Sequence, residues 1–142
     1  MKIVRYTMLM LSTIFVLSGC TAGGAKFMSV ESAPTNKALV YFYRPNAFQG
    51  SALSITVKDN DKAIFNIKNG QYISYLAEPG LHKFYTDTMA IDKPTELTLE
   101  AGKTYFLKTS LRVGMWTGTW GLNRVYEDEA LAELKSCSSG KK

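Results

Sequence analysis

Residues 38–43, Ala38-Leu-Val-Tyr-Phe-Tyr43, are apolar or aromatic at every position and carry the strongest fold signal in the chain. A strand that is apolar on both faces is typical of the centre of a sheet. The run ends at Arg44-Pro45, where proline has no amide hydrogen to donate to a neighbouring strand. We therefore predict a central β-strand that ends here. We expect Arg44 to pair with a nearby carboxylate rather than to bind an anion.

Outward from this strand, hydrophobic residues alternate with polar ones. Leu53, Ile55 and Val57 follow this pattern, and Leu97 and Leu99 repeat it, which is typical of strands with one buried face. Turn residues between neighbouring strands recur about every ten positions: Asp59-Asn60-Asp61, Asn69-Gly70, Pro79-Gly80 and Ala101-Gly102. The spacing predicts an all-β fold, an antiparallel β-sandwich of about seven to eight strands, transthyretin-like or Ig-like.

The pattern changes once, near the C-terminus. Residues 127–135 begin with three acidic residues and end with a lysine, with Leu131 and Leu134 three positions apart. This arrangement matches a short helix aligned with its own dipole. We predict a C-terminal helix that packs on one end of the sandwich through these two leucines.

The N-terminus has the layout of a secretory signal. Lys2 and Arg5 precede an apolar stretch over residues 8–17, which is too short to span a bilayer as a stable helix. Small residues follow, and then Cys20. We expect residues 1–19 to be a signal peptide that is removed.

The run Leu17-Ser18-Gly19-Cys20 resembles the lipobox of bacterial lipoproteins. The resemblance implies cleavage before Cys20, diacylglycerol on its sulfur and an acyl chain such as palmitate on its new amino group. Two or three chains anchor a protein stably, whereas one does so marginally. Because Thr21 is not Asp, similarity to Gram-negative lipoproteins implies an outer-membrane protein facing the periplasm. A Gram-positive host would cancel that inference. The alternative is a plain secreted protein in which Cys20 is incidental.

Four segments follow from these features. They are the signal peptide over 1–19, the lipidated Cys20 with a flexible tether over 20–36, the β-sandwich domain over 37–135 and a polar tail over 136–142. The tether assignment rests on the small and polar composition of its residues.

Charge and composition exclude several function classes. The chain has 17 basic and 12 acidic residues; without Lys2 and Arg5 the balance is 15 against 12, a net charge of +3. No basic stripe interleaved with aromatics is visible, so we reject nucleic-acid binding. No His, Cys or carboxylate cluster has metal-ligand spacing, and we expect no metal and no cofactor apart from the lipid.

The second cysteine, Cys137, has no intramolecular partner once Cys20 carries lipid. Two alternatives stay open: a buried or tolerated thiol, and a disulfide that links two copies into a homodimer. Catalysis by this thiol is less favoured, because its segment is predicted to be a frayed tail.

His82 is the only histidine, and it follows the Pro79-Gly80 turn on a predicted strand face with Phe84. A structural histidine is favoured over a catalytic one, because no nucleophile-elbow motif occurs. We therefore predict no catalytic residues and no enzyme activity.

Residues 112–124 form the candidate binding segment. Trp116 and Trp120 lie among three glycines, with Arg112 and Arg124 at the two ends. Tryptophan and arginine are enriched at binding hot spots, and glycine allows close backbone approach. The favoured alternative is that the tryptophans pack on the core or at the membrane interface. Contact with an envelope protein, or with a glycan or lipid, comes next.

Several stretches in order resemble the bacterial lipoprotein family known as domain of unknown function 2846. They are Val40–Pro45, Asn69–Tyr72, Glu78–His82, Ala101–Tyr105 and Val125–Leu134. The resemblance implies a membrane-tethered envelope protein with a β-sandwich fold and no known activity. We expect a non-catalytic binding or accessory module. The alternative is a structural component of an envelope assembly or secretion machine, similar to transthyretin-like lipoproteins, and a small envelope enzyme is third.

Overall fold

The computed structural model describes residues 23–87, 93–113 and 118–142, which form two packed sheets and one helix. The five-stranded sheet contains, in spatial order, β8 (Gly118–Val125), β7 (Thr104–Val113), β1 (Ala38–Arg44), β4 (Gln71–Ala77) and β9 (Ser138–Ser139). The four-stranded sheet contains β3 (Lys62–Ile67), β2 (Ile55–Asp59), β5 (Gly80–Asp87) and β6 (Thr95–Leu99). The predicted all-β sandwich with a short C-terminal helix is confirmed.

Strand β1 lies at the centre of the five-stranded sheet, as its sequence predicted, and all seven of its residues are buried. It pairs with β4 in antiparallel orientation and with β7 in parallel orientation. The parallel pair departs from a purely antiparallel sandwich. Alternate residues of β1 enter two separate apolar clusters, because side chains of a strand point to opposite faces.

The main core fills the space between the sheets. From β1 it receives Ala38, Val40 and Phe42, and the Phe42 ring lies 5.1 Å from Phe65 and 5.2 Å from Phe84 by centroid distance. The outer cluster lies on the other face of the five-stranded sheet. Its buried members are Phe27, Leu39, Tyr41, Tyr43, Phe106, Ala130, Leu134 and Cys137.

The helix α1 (Glu127–Leu134) covers this outer face. Ala130 and Leu134, one turn apart, are buried, and Leu131 is partly buried beside them. The prediction of a short helix is confirmed, and both predicted leucines lie on its packed side, with Leu131 only partly buried. The helix packs on the face of the five-stranded sheet, however, and not on one end of the sandwich. Within the described residues, no helix is long and apolar enough to cross a bilayer.

The predicted turns form, but most of them connect the two sheets. Asn60 and Asp61 have φ angles of 46° and 71° and close the β2–β3 hairpin, as expected for a two-residue turn. The turns at Gly70, Gly80 and Gly102 each lead from one sheet to the other, so the strands that they join are not neighbours. Leu53, predicted to begin a strand, lies before β2 and is 54% exposed.

The segment predicted to be a tether is partly packed on the domain. Phe27 is buried, and its ring lies 5.3 Å from Tyr72 and 6.0 Å from Tyr41 in edge-to-face contacts. Its amide donates to the carbonyl of Cys137, and the Ser139 amide donates to the carbonyl of Ala25. A buried aromatic side chain of this size contributes about 1.5–3 kcal/mol, and the two backbone hydrogen bonds add to the attachment of this segment.

The polar tail predicted over residues 136–142 is also ordered near its start. Ser138 and Ser139 form β9 and pair with Gln71 and Tyr72 of β4 in parallel orientation. Cys137 is completely buried, because the segment between the helix and β9 places it in the outer cluster. The prediction of a frayed terminus is therefore wrong for these residues.

Candidate functional site

Arg44 is buried inside the sandwich at the end of β1, with 1% of its surface exposed. Its Nη1 donates to the carbonyl of Leu53 at 2.7 Å, and its Nη2 donates to the carbonyl of Gly50 at 2.6 Å. Its Cζ lies 4.2 Å from the centroid of the Trp120 ring. The side chain thus fixes residues 45–54, the loop between β1 and β2, to the inside of the domain.

The described residues provide no carboxylate partner of the kind predicted for Arg44. Carbonyl dipoles and the π-face of an indole surround the guanidinium instead. Burial lowers the pKa of Arg44, since desolvation disfavours the charged form. Its Nε is buried and has no hydrogen-bond partner in the described residues. This charge is internal, and its role there is to hold a loop.

Trp120 packs in the main core and is only 7% exposed. Its backbone carbonyl accepts a 2.5 Å hydrogen bond from Thr86 Oγ1, which links the two sheets. Gly50 lies directly against the indole: a Cβ there would be 2.6 Å from Trp120 Cζ2, and its φ of +68° also favours glycine. For Trp120 the core interpretation applies. Trp116 lies outside the described residues.

The two arginines of the candidate binding segment do not converge. Arg112 is exposed, and its Nη2 donates to Asn123 Oδ1 at 2.6 Å. Arg124 lies toward the other end of β8, with its Cζ 5.5 Å from the Tyr105 ring centroid. In the β7–β8 ladder Arg112 is opposite Thr119, five positions from Arg124. The structure therefore does not assemble a site from Arg112, Trp120 and Arg124.

A buried polar cluster surrounds His82, and the sequence prediction missed its partners. Each oxygen of the Asp59 carboxylate lies 2.8 Å from His82 Nδ1, and Tyr75 Oη donates to Asp59 Oδ2 at 3.1 Å. His82 Nε2 lies 2.9 Å from the carbonyl oxygen of Glu78, and the imidazole stacks on Phe84. Both ring nitrogens have internal partners, as expected for a structural histidine.

Register brings this cluster together. Asp59 is opposite Phe84 in the β2–β5 pair, which places it two residues from His82 along β5. In the sequence, Asp59 is part of a turn motif, and 23 positions separate it from His82. Only the strand register reveals the contact. Burial and the Asp59 carboxylate raise the pKa of Tyr75 to about 12, so its hydroxyl remains a hydrogen-bond donor.

The buried Cys137 thiol is the other reactive group that the sequence analysis singled out. Its Sγ lies 3.8 Å from the carbonyl oxygens of Arg44 and Glu133. Burial is the main cause that raises the pKa of Cys137, which disfavours the reactive thiolate. A disulfide to a second copy would require this segment to open. The structure favours the first alternative, a buried thiol.

An ionic cluster fastens the helix to the sheet. Lys108 Nζ lies 2.5 Å from Glu133 Oε1 and 3.6 Å from Glu129 Oε1, and Tyr43 Oη donates to Glu133 Oε2 at 2.7 Å. Burial disfavours the charged forms, but these contacts outweigh it, raising the pKa of Lys108 and lowering that of Glu133. The cluster is a structural fastening between β1, β7 and the helix.

An open cleft lies where the two sheets part, between edge strands β3 and β9. It has a volume of about 750 Å³, and Lys68, Lys141 and Lys142 line it together with Gly23 and Gly24. The sequence gives no sign that these three lysines share a surface, since Lys68 is far in the chain from the adjacent pair Lys141 and Lys142. No group of three or more His, Cys, Asp or Glu side chains suited to a metal occurs in the described ranges.

Comparison with known proteins identifies the family. A protein from Haemophilus influenzae described as "Uncharacterized protein" is 27% identical over 123 residues, which cover 80% of this chain and 71% of that protein. No solved structure matches the chain. The family described as "Protein of unknown function (DUF2846)" matches residues 34–120, from just before β1 to the first residues of β8. The chain therefore belongs to the DUF2846 family, in agreement with the resemblance noted in its sequence.

Proposed function

We propose that this protein is an outer-membrane lipoprotein, anchored through Cys20 and facing the periplasm, that acts as a non-catalytic binding or accessory module. The observation that carries the proposal is the lipobox Leu17–Cys20 directly ahead of a small β-sandwich. Cys20 itself lies outside the described residues. Diacylglycerol and an N-acyl chain on this residue would provide the two or more chains that stable anchoring requires.

The absence of catalysis is part of the proposal, and the surroundings of two reactive groups support it. His82 is 9% exposed and has both ring nitrogens within 2.9 Å of internal acceptors. The Cys137 thiol is fully buried, and its pKa is raised by burial. A general base must reach the proton that it abstracts, and a nucleophile must reach its substrate. Neither group meets that condition in the folded domain.

Fractionation of cells tests the anchor. The wild-type protein is expected in the outer-membrane fraction after density separation of the two membranes. Cys20→Ala is expected to give an uncleaved or soluble product, and Cys137→Ala serves as the matched control that keeps the lipidated cysteine. Equal membrane attachment and equal size for Cys20→Ala and the wild type would contradict the proposal.

A structural role in an envelope assembly is the second candidate. The observation that favours it is a set of exposed hydrophobic residues toward the end of the sandwich at which β4 and β8 end: Leu76, Leu81 and Tyr126. Tyr126 is 82% exposed and Leu81 57%. Apolar side chains that face solvent are candidate anchors for a protein partner.

Photo-crosslinking in living cells separates the two candidates. The probes are placed at the exposed Leu81 and Tyr126 rather than at Trp120, which lies in the core. A single recurrent envelope protein captured at both positions would favour the assembly component. Crosslinks to glycan would favour the binding module. So would the absence of crosslinks to protein in a sample that is folded and membrane-bound.

A further inference from the structure

Resting on the proposed lipid anchor, we propose that the cleft between β3 and β9 faces the membrane that carries the anchor. The three lysines that line it would contact anionic lipid headgroups. The domain would then lie directly on the bilayer surface in one orientation. Three independent features support this: the short chain between Cys20 and Gly23, the charge of the cleft and an adjoining exposed aromatic residue.

Chain length places the cleft next to the lipid. Gly23 lines the cleft and follows Cys20 by three positions. Three extended residues span at most about 11 Å. Whatever conformation the intervening residues adopt, Gly23 lies within this distance of the acylated residue.

The packed N-terminal segment prevents the domain from swinging away. The Ser139 amide donates to the carbonyl of Ala25 at 2.8 Å, and the Phe27 amide donates to the carbonyl of Cys137 at 3.2 Å. The backbones of Lys26 and Ser138 form an isolated antiparallel β-bridge. The domain therefore holds the chain from Ala25 onward, well inside the segment over 20–36 that the sequence predicts to be a tether. Phe27, buried between Tyr41 and Tyr72, fixes the point at which the chain joins the domain.

The charge of the cleft suits an anionic surface. Lys68, Lys141 and Lys142 are exposed, no acidic residue lines the cleft, and none of the three forms an ion pair within the described ranges. Five lysines elsewhere in those ranges have carboxylate partners: Lys37, Lys58, Lys83, Lys103 and Lys108. Ammonium groups without an internal partner can donate to lipid phosphates.

An exposed aromatic residue extends the same surface. The Ala47 amide donates to Asn69 Oδ1 at 3.0 Å, and Asn69 Nδ2 donates to Asn46 Oδ1 at 2.6 Å. These bonds fasten the 45–54 loop to the turn that follows Lys68. Phe48, next along the loop, is 96% exposed. An aromatic ring beside basic side chains is typical of residues at a membrane interface.

The test uses the full-length acylated protein in proteoliposomes. One set contains neutral phosphatidylcholine, and the other contains the same lipid with phosphatidylglycerol. A water-soluble amine reagent labels exposed lysines, and mass spectrometry measures the rate at each position. We expect labelling of Lys68, Lys141 and Lys142 to slow several-fold in the anionic vesicles and to recover in high salt. Lys83 and Lys103, which have carboxylate partners elsewhere on the domain, should not change.

Charge neutralisation provides the matched variants. Lys68→Gln, Lys141→Gln and Lys142→Gln should each lower the docked-to-undocked ratio by about fivefold, since each basic residue near an anionic surface contributes about that factor. The fluorescence of a polarity-sensitive dye on Phe48→Cys in a Cys137→Ser background reports this ratio. The controls Lys83→Gln and Lys103→Gln should leave it unchanged.

The outcomes separate this proposal from the anchor itself. Equal lysine labelling in neutral and anionic vesicles, with the protein acylated and floating with the lipid, would overturn headgroup contact and leave the anchor intact. Protein that carries no lipid and does not float would overturn the proposed function instead. Slower labelling of the cleft lysines that neither salt nor the three substitutions reverse would also contradict the charge-based contact.

Discussion

The guanidinium carbon of Arg44 lies 4.2 Å from the centroid of the Trp120 ring, so that a buried cation stacks on a buried indole where the two sheets meet. Stacking of this kind is stronger when both groups are desolvated. The same guanidinium donates to two carbonyls of the 45–54 loop. Trp120, a candidate binding residue in the sequence, and Arg44, which was expected to pair with a carboxylate, thus act together inside the domain.

Arg44→Lys should loosen the 45–54 loop although it keeps the charge. A lysine cannot donate to both the Leu53 and Gly50 carbonyls in the planar geometry of the guanidinium, and it stacks less well on an indole. Each lost hydrogen bond to a charged group costs about 1.5–3 kcal/mol. Amide hydrogen exchange should accelerate in this loop more than in β4. Unchanged protection of the loop would contradict the role assigned to Arg44.

Trp120→Ala should destabilise the fold by about 3–5 kcal/mol, because it removes a large side chain from the core. Urea denaturation monitored by circular dichroism measures the free energy of unfolding. Phe48→Ala is the matched aromatic control, and because Phe48 is 96% exposed it should change stability by less than about 0.5 kcal/mol. A Trp120→Ala protein of wild-type stability would show that the indole is not part of the core.

The His82–Asp59 pair should show strong coupling. Removal of one partner of a buried hydrogen bond leaves the other group unsatisfied and costs about 1–3 kcal/mol, or more when that group is charged. We therefore expect that amount for Asp59→Asn and for His82→Gln. The double variant should lose clearly less than the sum of the two single losses, as a double-mutant cycle would measure. Additive losses would show that the two side chains do not act as a unit.

Part of the loss of stability at acid pH should come from protonation of Glu133. Its pKa is lowered in the folded state, because Lys108 and Tyr43 outweigh the opposing effect of burial. A lowered folded pKa means that the carboxylate stabilises the fold above its unfolded pKa and loses that contribution as the pH falls through its folded pKa. Glu133→Gln should therefore reduce the free energy of unfolding at neutral pH. It should also make that free energy depend less steeply on pH below about pH 4.5. The same dependence of stability on acid pH in variant and wild type would contradict this contact.

Phe27→Ala should release the N-terminal segment from the domain. The loss of its contacts with Tyr41 and Tyr72 should lower stability by about 3–5 kcal/mol if the cavity does not collapse, and less if it does. Limited proteolysis should then cut between residues 23 and 36 faster than in the wild type. Met28→Ala is the control, since Met28 is 89% exposed. Equal cleavage in all three proteins would show that Phe27 does not hold the segment.

The class of fold follows from short-range patterns. The fully apolar run over residues 38–43 predicts a central strand, and turn residues such as Asn60 and Asp61 predict a hairpin. The same turn chemistry at Gly70 and Gly102 does not tell whether the next strand joins the same sheet. That choice depends on which apolar faces meet, and this is a long-range property of the fold.

The candidate site was harder to predict because its contacts depend on register. Tryptophan is common both at binding hot spots and in protein cores. Only the position of Trp120 on β8 shows that it belongs to the core. Phe27 is one apolar residue in a polar segment, and its burial requires Tyr41 and Tyr72 from two different strands. The cleft lysines come from segments about 70 positions apart, so composition alone gives no sign that they share a surface.

The most direct test of the central claim is the intact mass of the mature protein purified from membranes. The lipoprotein account predicts a chain that begins at Cys20 and carries the added mass of diacylglycerol and one N-linked acyl chain. Fragmentation should place both on that residue, and base treatment should release the ester-linked chains. A mature chain of unmodified mass, or one that begins at a residue other than Cys20, would contradict the account.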